Sequence, residues 1–182
     1  MIKMKDILDE KDNRLRQVSK DVKFPLTKKD KETINEMIEF LRNSQIPALA
    51  EQYKLRPGMG LAAIQLGIAK RYFVVVHEYD EGQFDTYVLI NPRIISNSLE
   101  KIYVDQGEGC LSVNRPVDGI TPRYARVTME AYDIEGRKIN VRAREELAVA
   151  FQHELDHLNG ILFTDTIDPK NPFKGQDNMR AI

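Results

Sequence analysis

Two histidines with a glutamate beside the first carry the strongest chemical signal in the chain. They lie in the motif His153-Glu154-Leu155-Asp156-His157. If this segment is helical, residues four apart share one face, so both imidazoles can reach a single metal ion. Glu154 can then hold a metal-bound water as a general base. The alternative is a pair of hydrogen-bonded helix histidines beside a surface glutamate.

A third ligand must come from elsewhere in the chain, because catalytic zinc and iron sites commonly use three protein ligands. No histidine or glutamate follows His157. Cys110, the one cysteine, lies in Glu108-Gly109-Cys110-Leu111-Ser112 and is the favoured candidate. A lone cysteine is more often a small buried hydrophobe. His77, which follows an apolar segment, is the rival ligand or a structural hydrogen-bonding residue.

A glycine-rich segment, Gly58-Met59-Gly60-Leu61-Ala62-Ala63-Ile64-Gln65, is the third candidate feature. Paired glycines permit close approach of a ligand to the backbone. The segment lacks the Gly-Lys-Ser/Thr of a phosphate loop and the three glycines of a dinucleotide fingerprint. By itself it is explained equally well by a tight turn that enters an edge strand.

Two helices must position these residues. A capping box at Thr27-Lys28-Lys29-Asp30 and an apolar stripe through Ile34, Met37, Ile38 and Leu41 predict a helix from about Lys28 to Asn43. A second helix is predicted from about Arg144 to Leu158, ending at Asn159-Gly160.

The strands are predicted between these helices. Tyr72–Val76 and Thr86–Ile90 are rich in β-branched and aromatic residues. Arg93–Ser96 and Lys101–Val104 are predicted to form a pair, and Arg126–Tyr132 with Arg137–Arg142 a hairpin. The order predicts an α+β fold with mixed or antiparallel β-sheets packed around the C-terminal helix that carries the histidine motif.

Composition limits the function classes. The chain has 182 residues and a formal net charge of −1, which argues against dependence on electrostatic attraction to nucleic acid or anionic lipid. One cysteine excludes an intramolecular disulfide and fits a reducing compartment. No apolar run could cross a bilayer and no signal core is visible, so a cytoplasmic location is predicted. Residues 1–182 are expected to form a single domain, with 168–182 as an extended tail.

Taken in order, Gly58–Gln65, Glu108–Ser112 and Gln152–His157 closely resemble the three signature motifs of peptide deformylases. Asn13–Ser19 is similar to the N-terminal segment of that family, so the resemblance covers nearly the full length. The Arg56-Pro57 lead-in and the segment Glu108–Val113 look most like the longer-looped type found in many Gram-positive bacteria. One departure is Ile64, which stands where the family usually has proline.

The resemblance implies a role for each matched residue. Cys110, His153 and His157 would bind one divalent metal ion, natively Fe(II), with Zn, Ni or Co also possible. Glu154 would activate the metal-bound water and later protonate the departing amine. The Gln65 side chain and the Leu111 backbone N–H would stabilise the oxyanion. The reaction implied is hydrolysis of the formyl group from the N-terminal formylmethionine of newly made polypeptides.

The resemblance also implies how substrate would bind. An extended peptide would lie beside the Gly58–Ala62 segment, and the apolar pocket would take the methionine side chain. The residues implied in substrate binding are Gly58, Met59, Gly60, Glu108, Gly109, Val149 and Ala150. For Val149 and Ala150, simple core packing is the alternative.

Two other functions compete with this interpretation. A metallopeptidase would share the helix motif, although the lack of a downstream ligand argues against it. A non-catalytic metal-binding or interaction protein would use Glu154 only as a brace. The partners expected are formylmethionyl nascent peptides, with possible ribosome association, no sequence-specific nucleic-acid binding and no membrane; a monomer is expected.

Overall fold

The computed structural model describes residues 1–182 and contains three α-helices. They span Lys28–Gln45 (α1), Pro47–Tyr53 (α2) and Glu145–Leu158 (α3). The predicted capping box is confirmed, since the Asp30 N–H donates to Thr27 Oγ1 at 3.1 Å and the Asp30 carboxylate accepts from Thr27. Both predicted helices are therefore present, with α1 ending two residues later than expected.

Eight strands form two sheets. They are Gly60–Ala62 (β1), Tyr72–Asp80 (β2), Gln83–Asn97 (β3), Lys101–Tyr103 (β4), Arg123–Tyr124 (β5), Arg126–Tyr132 (β6), Lys138–Arg144 (β7) and Arg180–Ala181 (β8). The first sheet is antiparallel, in the order β1-β2-β3-β6-β7. The second has the order β5-β4-β8, with β4 and β8 parallel. The α+β class is thus confirmed, as is the β6–β7 hairpin.

The predicted pairing of Arg93–Ser96 with Lys101–Val104 is wrong. The first segment belongs to β3, which continues to Asn97 and pairs with β6. The Ser98 N–H donates to Arg126 O at 2.9 Å, and Ser98 Oγ donates to Glu100 O at 2.8 Å. These bonds carry the chain into the second sheet instead of reversing it, so β4 finds its partners in β5 and β8.

The first five residues of β2, Tyr72–Val76, are buried on both faces of the sheet, which explains their continuous apolar run. Tyr72, Val74 and Val76 pack in one cluster with the apolar side of α1. Phe73 and Val75 pack in another with Phe151, Leu155 and Leu158 of α3. Side chains alternate between faces along a strand, so one run of apolar residues anchors both helices. The catalytic candidates on α3 are consequently fixed against the sheet.

The C-terminal residues 168–182 return to the second sheet. They include a 3₁₀ turn at Gln176–Asn178 and end in β8. Ile182 N–H donates to Tyr103 O at 3.0 Å, and Arg180 forms salt bridges with Glu100 and Glu145. Among the helices, none has the length and apolar character needed to cross a membrane.

Candidate active site

Helix α3 presents both motif histidines to one side of the molecule. The His153 and His157 rings lie with centroids 4.9 Å apart, as residues four apart on a helix should. The opposite side of the helix carries Phe151, Leu155 and Leu158 into the core. Burial of these three side chains leaves the imidazoles facing the loop that contains Cys110.

Cys110 meets the two histidines at this loop. Its Sγ lies 3.3 Å from His157 Nε2, and potential ligand atoms of Cys110, His153 and His157 all lie within 4.8 Å of one another. His77 lies outside this group, on β2 opposite Asp85 of β3. The structure therefore brings the favoured third candidate to the histidines and leaves the rival on another part of the sheet.

The Arg56 side chain holds the Cys110 loop from the other side. Its guanidinium donates to the carbonyl oxygens of Cys110 at 3.0 Å, Leu111 at 2.5 Å and Val113 at 3.2 Å. Charged donors strengthen such bonds to carbonyl groups. The loop backbone is thereby tied to the segment that leads into β1.

A buried charge network orients His153. Its Nδ1 lies 2.8 Å from Glu108 Oε2, and Glu108 is paired with Arg123 through two bonds of 2.7 and 2.9 Å. Burial acts to raise the pKa of Glu108, but Arg123 and His153 outweigh it and hold the value at about 2. Because Nδ1 donates to this carboxylate, Nε2 of His153 keeps a lone pair for a metal.

Asp156 belongs to the same network. From the sequence alone, Asp156 could orient a ligand, form a salt bridge with an arginine such as Arg115, or lie on the surface. Asp156 pairs with Arg123 at 2.6 Å, whereas Arg115 pairs with Glu10 at 2.8 Å. The sequence separations of 33 and 105 residues explain why spacing could not choose between these partners.

The glycine-rich segment is an edge strand followed by a 3₁₀ turn, Ala63–Leu66. Gln65 is buried, and its Oε1 accepts from the Ala62 N–H at 2.8 Å. Its Nε2 consequently faces the Cys110 loop, 3.1 Å from Ser112 Oγ and 3.8 Å from Cys110 Sγ. The N–H of Leu111, in that loop, donates to no other group of the chain. Ile64, the departure from the family pattern, is fully buried.

Glu154 is buried beside Gly60. A Cβ placed on Gly60 would lie 2.3 Å from Glu154 Oε1, so only glycine leaves room for this carboxylate. The other oxygen, Oε2, is buried without a hydrogen-bond partner. Burial raises the pKa of Glu154 to about 7. A buried carboxylate with an unpartnered oxygen is suited to accept a proton from a bound molecule.

These groups converge on one cavity of about 560 Å³. With the exception of His157, every candidate lines it: Gly58, Met59, Gly60, Gln65, Glu108, Gly109, Cys110, Leu111, Val149, Ala150, His153 and Glu154. His157 lies behind Cys110, 1% exposed. The cavity thus combines a possible metal site, a carboxylate and an apolar wall.

Three residues that support the site were missing from the sequence-based list: Arg56, Ser112 and Arg123. Ser112 is the last residue of one motif and Arg56 lies two residues before another, so their place in the sequence was an available signal. Arg123 lies in no motif, and its partners are 15 and 33 residues away. Only its burial, 5% exposed, distinguishes it from the surface arginines.

Known proteins resemble the chain over its whole length. A family sequence model described as polypeptide deformylase matches residues 4–173. Peptide deformylase 2 of Bacillus subtilis is 47% identical over 182 residues, covering 100% of this chain and 99% of the relative. Peptide deformylase 2 of Bacillus anthracis is also 47% identical, over 183 residues and the same shares of both chains.

Solved structures agree with this relationship. The crystal structure of a peptide deformylase from Legionella pneumophila has a TM-score of 0.73 at 32% identity, covering 90% of this chain and 86% of that one. The peptide deformylase from Thermotoga maritima has a TM-score of 0.70 at 32% identity, covering 90% and 97%. With sequence and fold in agreement along the chain, this protein belongs to the polypeptide deformylase family, the metal-dependent hydrolases that remove the formyl group from nascent polypeptides.

Proposed function

We propose that Cys110, His153 and His157 hold one divalent metal ion, natively Fe(II), in this enzyme. The proposal is supported by the approach of the three donor groups to within 4.8 Å of one another. One thiolate and two neutral imidazoles would leave a site of formal charge +1 around M²⁺. Zn, Ni or Co would suit the same donors. When bound, the ion supplies Lewis acidity and lowers the pKa of coordinated water.

We propose that Glu154 transfers the protons of the reaction. Its carboxylate accepts a proton from the attacking water and then delivers that proton to the departing amine nitrogen. Two observations support this role: Oε2 has no hydrogen-bond partner, and the carboxylate lies against Gly60 of β1, the strand beside which the substrate would bind. General acid–base catalysis of this kind contributes about 10²- to 10⁴-fold.

Gln65 and the Leu111 N–H are proposed to stabilise the oxyanion that develops on the formyl oxygen. The Gln65 amide is oriented by the Ala62 N–H, and the loop carrying Leu111 is held by Arg56. Donors fixed before the reaction need not reorganise as charge develops. Removal of one such donor typically costs about 10²- to 10³-fold in kcat.

The substrate is proposed to bind as an extended strand on the free edge of β1, with Gly58, Met59 and Gly60 beside its backbone. Glu108 and Gly109 would border the first residue from the opposite loop. Met59, Val149 and Ala150 would form the apolar wall around the methionine side chain, since all three line the cavity. Backbone pairing would accept diverse sequences after that residue.

The substrates are peptides with an N-terminal formylmethionine. The observation that supports this most strongly is that the ligand group, Glu154 and Gln65 meet at one cavity. We further propose one catalytic domain over residues 1–182, acting as a monomer in the cytoplasm, where a reducing environment preserves the Cys110 thiolate. Contact with the ribosome would place this domain near emerging chains.

The decisive experiment measures formate release from formyl-Met-Ala-Ser by anaerobically purified protein, with metal content determined on the same sample. Glu154→Ala should retain metal and lose at least 10²-fold in kcat, because it removes only the proton carrier. Cys110→Ala should lose metal, whereas His77→Ala, the matched control, should retain it. A requirement for His77 and not Cys110 would overturn the ligand assignment. Cleavage of unformylated peptides without formate release would instead support a metallopeptidase.

A further inference from the structure

The carboxylates that line the substrate cavity are held in different ways. Glu108 is fixed by Arg123 and His153, and Glu154 is buried at the catalytic end. Glu146 lines the same cavity but is exposed, and no salt bridge or side-chain hydrogen bond involves it. Its neighbour Glu145, by contrast, is bound by Arg180. Glu146 is therefore the cavity carboxylate whose charge is available to a bound molecule.

The free edge of β1 determines which way a bound peptide runs. Val76 N–H donates to Met59 O at 2.8 Å, a bond that flanks the Gly60–Val75 pair. In such a pair the N–H and C=O of Gly60 point away from β2, toward the unpaired edge. Beyond Gly60, Ala62 is fully buried and its N–H is taken by Gln65. A peptide with its formyl end near Glu154 must therefore extend past Met59 and Gly58.

Glu146 lies at that same end of the groove. Met59 is joined to Val76 by the bond described above, and the next residue of β2 is His77. His77 and Glu146 line one surface cavity, and Glu146 also lines the substrate cavity. Glu146 is therefore shared by the two cavities, at the end of the groove where the proposed peptide would leave it.

The distance between same-side residues of an extended peptide is similar to the distance between Glu146 and the pocket residues along α3. In an extended peptide the first and third side chains point to the same side, about 6.6–6.8 Å apart. On α3, Glu146 precedes Val149 and Ala150 by three and four residues, about 4.5–6 Å along the helix axis. If the first side chain lies against Val149 and Ala150, the third lies beside Glu146.

We propose that Glu146 is a specificity-determining residue that favours a basic side chain at the third residue of the formylated peptide. The inference rests on the proposed binding of formyl-Met peptides along β1. Exposed ion pairs are weak, so the preference for lysine over glutamate at this position should be about two- to fivefold in kcat/KM. Screening by salt should reduce it.

The test compares four peptide amides on the metal-loaded enzyme: formyl-Met-Ala-Lys, formyl-Met-Ala-Glu, formyl-Met-Lys-Ala and formyl-Met-Glu-Ala. Formate release gives kcat/KM for each. The Lys/Glu ratio at the third residue should fall to about one in Glu146→Gln and invert in Glu146→Lys. Glu39→Gln is the matched control, because it makes the same charge change on an exposed residue of α1, which packs on the other face of the sheet.

Each outcome separates the two proposals. If the enzyme released formate from none of the four peptides, the proposed function would be overturned. Release with equal kcat/KM for lysine and glutamate at the third residue would overturn only the role of Glu146. That role would also be overturned if Glu39→Gln changed the ratio as much as Glu146→Gln, or if Glu146→Gln altered the second-residue ratio instead.

Discussion

Gly60 allows the sharpest test of the site, because its missing side chain leaves the space that Glu154 occupies. A Cβ at this position would lie 2.3 Å from Glu154 Oε1 and 2.7 Å from both Cγ and Cδ. Ordinary contact begins at 3.4 Å, so the carboxylate of Gly60→Ala must retreat by about 1 Å. The backbone of Gly60 does not have positive φ, so this effect is steric and not conformational.

A displacement of that size should reduce kcat about 10²-fold, since a misplacement of about 1 Å can cost that much. The loss should not exceed that of Glu154→Ala, and the double variant should lose no more than Glu154→Ala alone, because both changes act on one group. Metal content should persist, because the three atoms nearest the new methyl group all belong to Glu154 and none belongs to a proposed metal ligand.

The assay is steady-state formate release with metal content and thermal unfolding measured in parallel. Gly109→Ala is the matched comparison, because Gly109 lines the same cavity and its added Cβ would meet nothing within 4 Å. It should retain a much larger share of kcat than Gly60→Ala. Wild-type kcat in Gly60→Ala would refute the reasoning, and so would equal losses in kcat for the two glycine variants.

Three further predictions follow from the buried network, the pocket and the ligand set. Glu108→Ala should lower the free energy of unfolding by about 3–5 kcal/mol, because it leaves the buried Arg123 without its main partner; urea denaturation measures this, and a loss below about 1 kcal/mol would contradict it. Ala150→Leu should reduce kcat/KM for formyl-Met peptides with little change in metal content, and unchanged kinetics would remove Ala150 from the pocket. Peroxide should inactivate the Fe(II) enzyme faster than the Ni or Zn forms, through oxidation at the Cys110 thiolate; equal rates of inactivation would contradict the iron assignment.

Local sequence patterns were sufficient to predict the helices and the hairpin whose stabilising interactions join residues close together in the chain. The capping box and apolar stripe of α1, the β6–β7 hairpin and helix α3 all depend on residues within a few positions of one another. The strand pairing around Asn97–Glu100 was wrong because the alternative partners lie far away in the chain. A four-residue connection is compatible with a hairpin or with a crossing between sheets, and only packing decides between them.

The candidate site divides in the same way. The approach of His153 to His157 depends on helical spacing, so the sequence by itself determined it. The motifs also determined the family, since their types and order are readable without coordinates. The other contacts of the site join residues that are far apart in the chain. Gln65 and Cys110 are separated by 45 residues, and Cys110 and His157 by 47.

Tertiary structure alone decided the supporting contacts. Arg123 joins Glu108 and Asp156, Arg56 holds the Cys110 loop, and Gly60 leaves room for Glu154. Each contact is made between segments that meet only after the sheets have assembled. The physical reason is that sequence patterns record short-range geometry, whereas a buried charge or a vacant Cβ position acquires its partner from the packing of the whole chain.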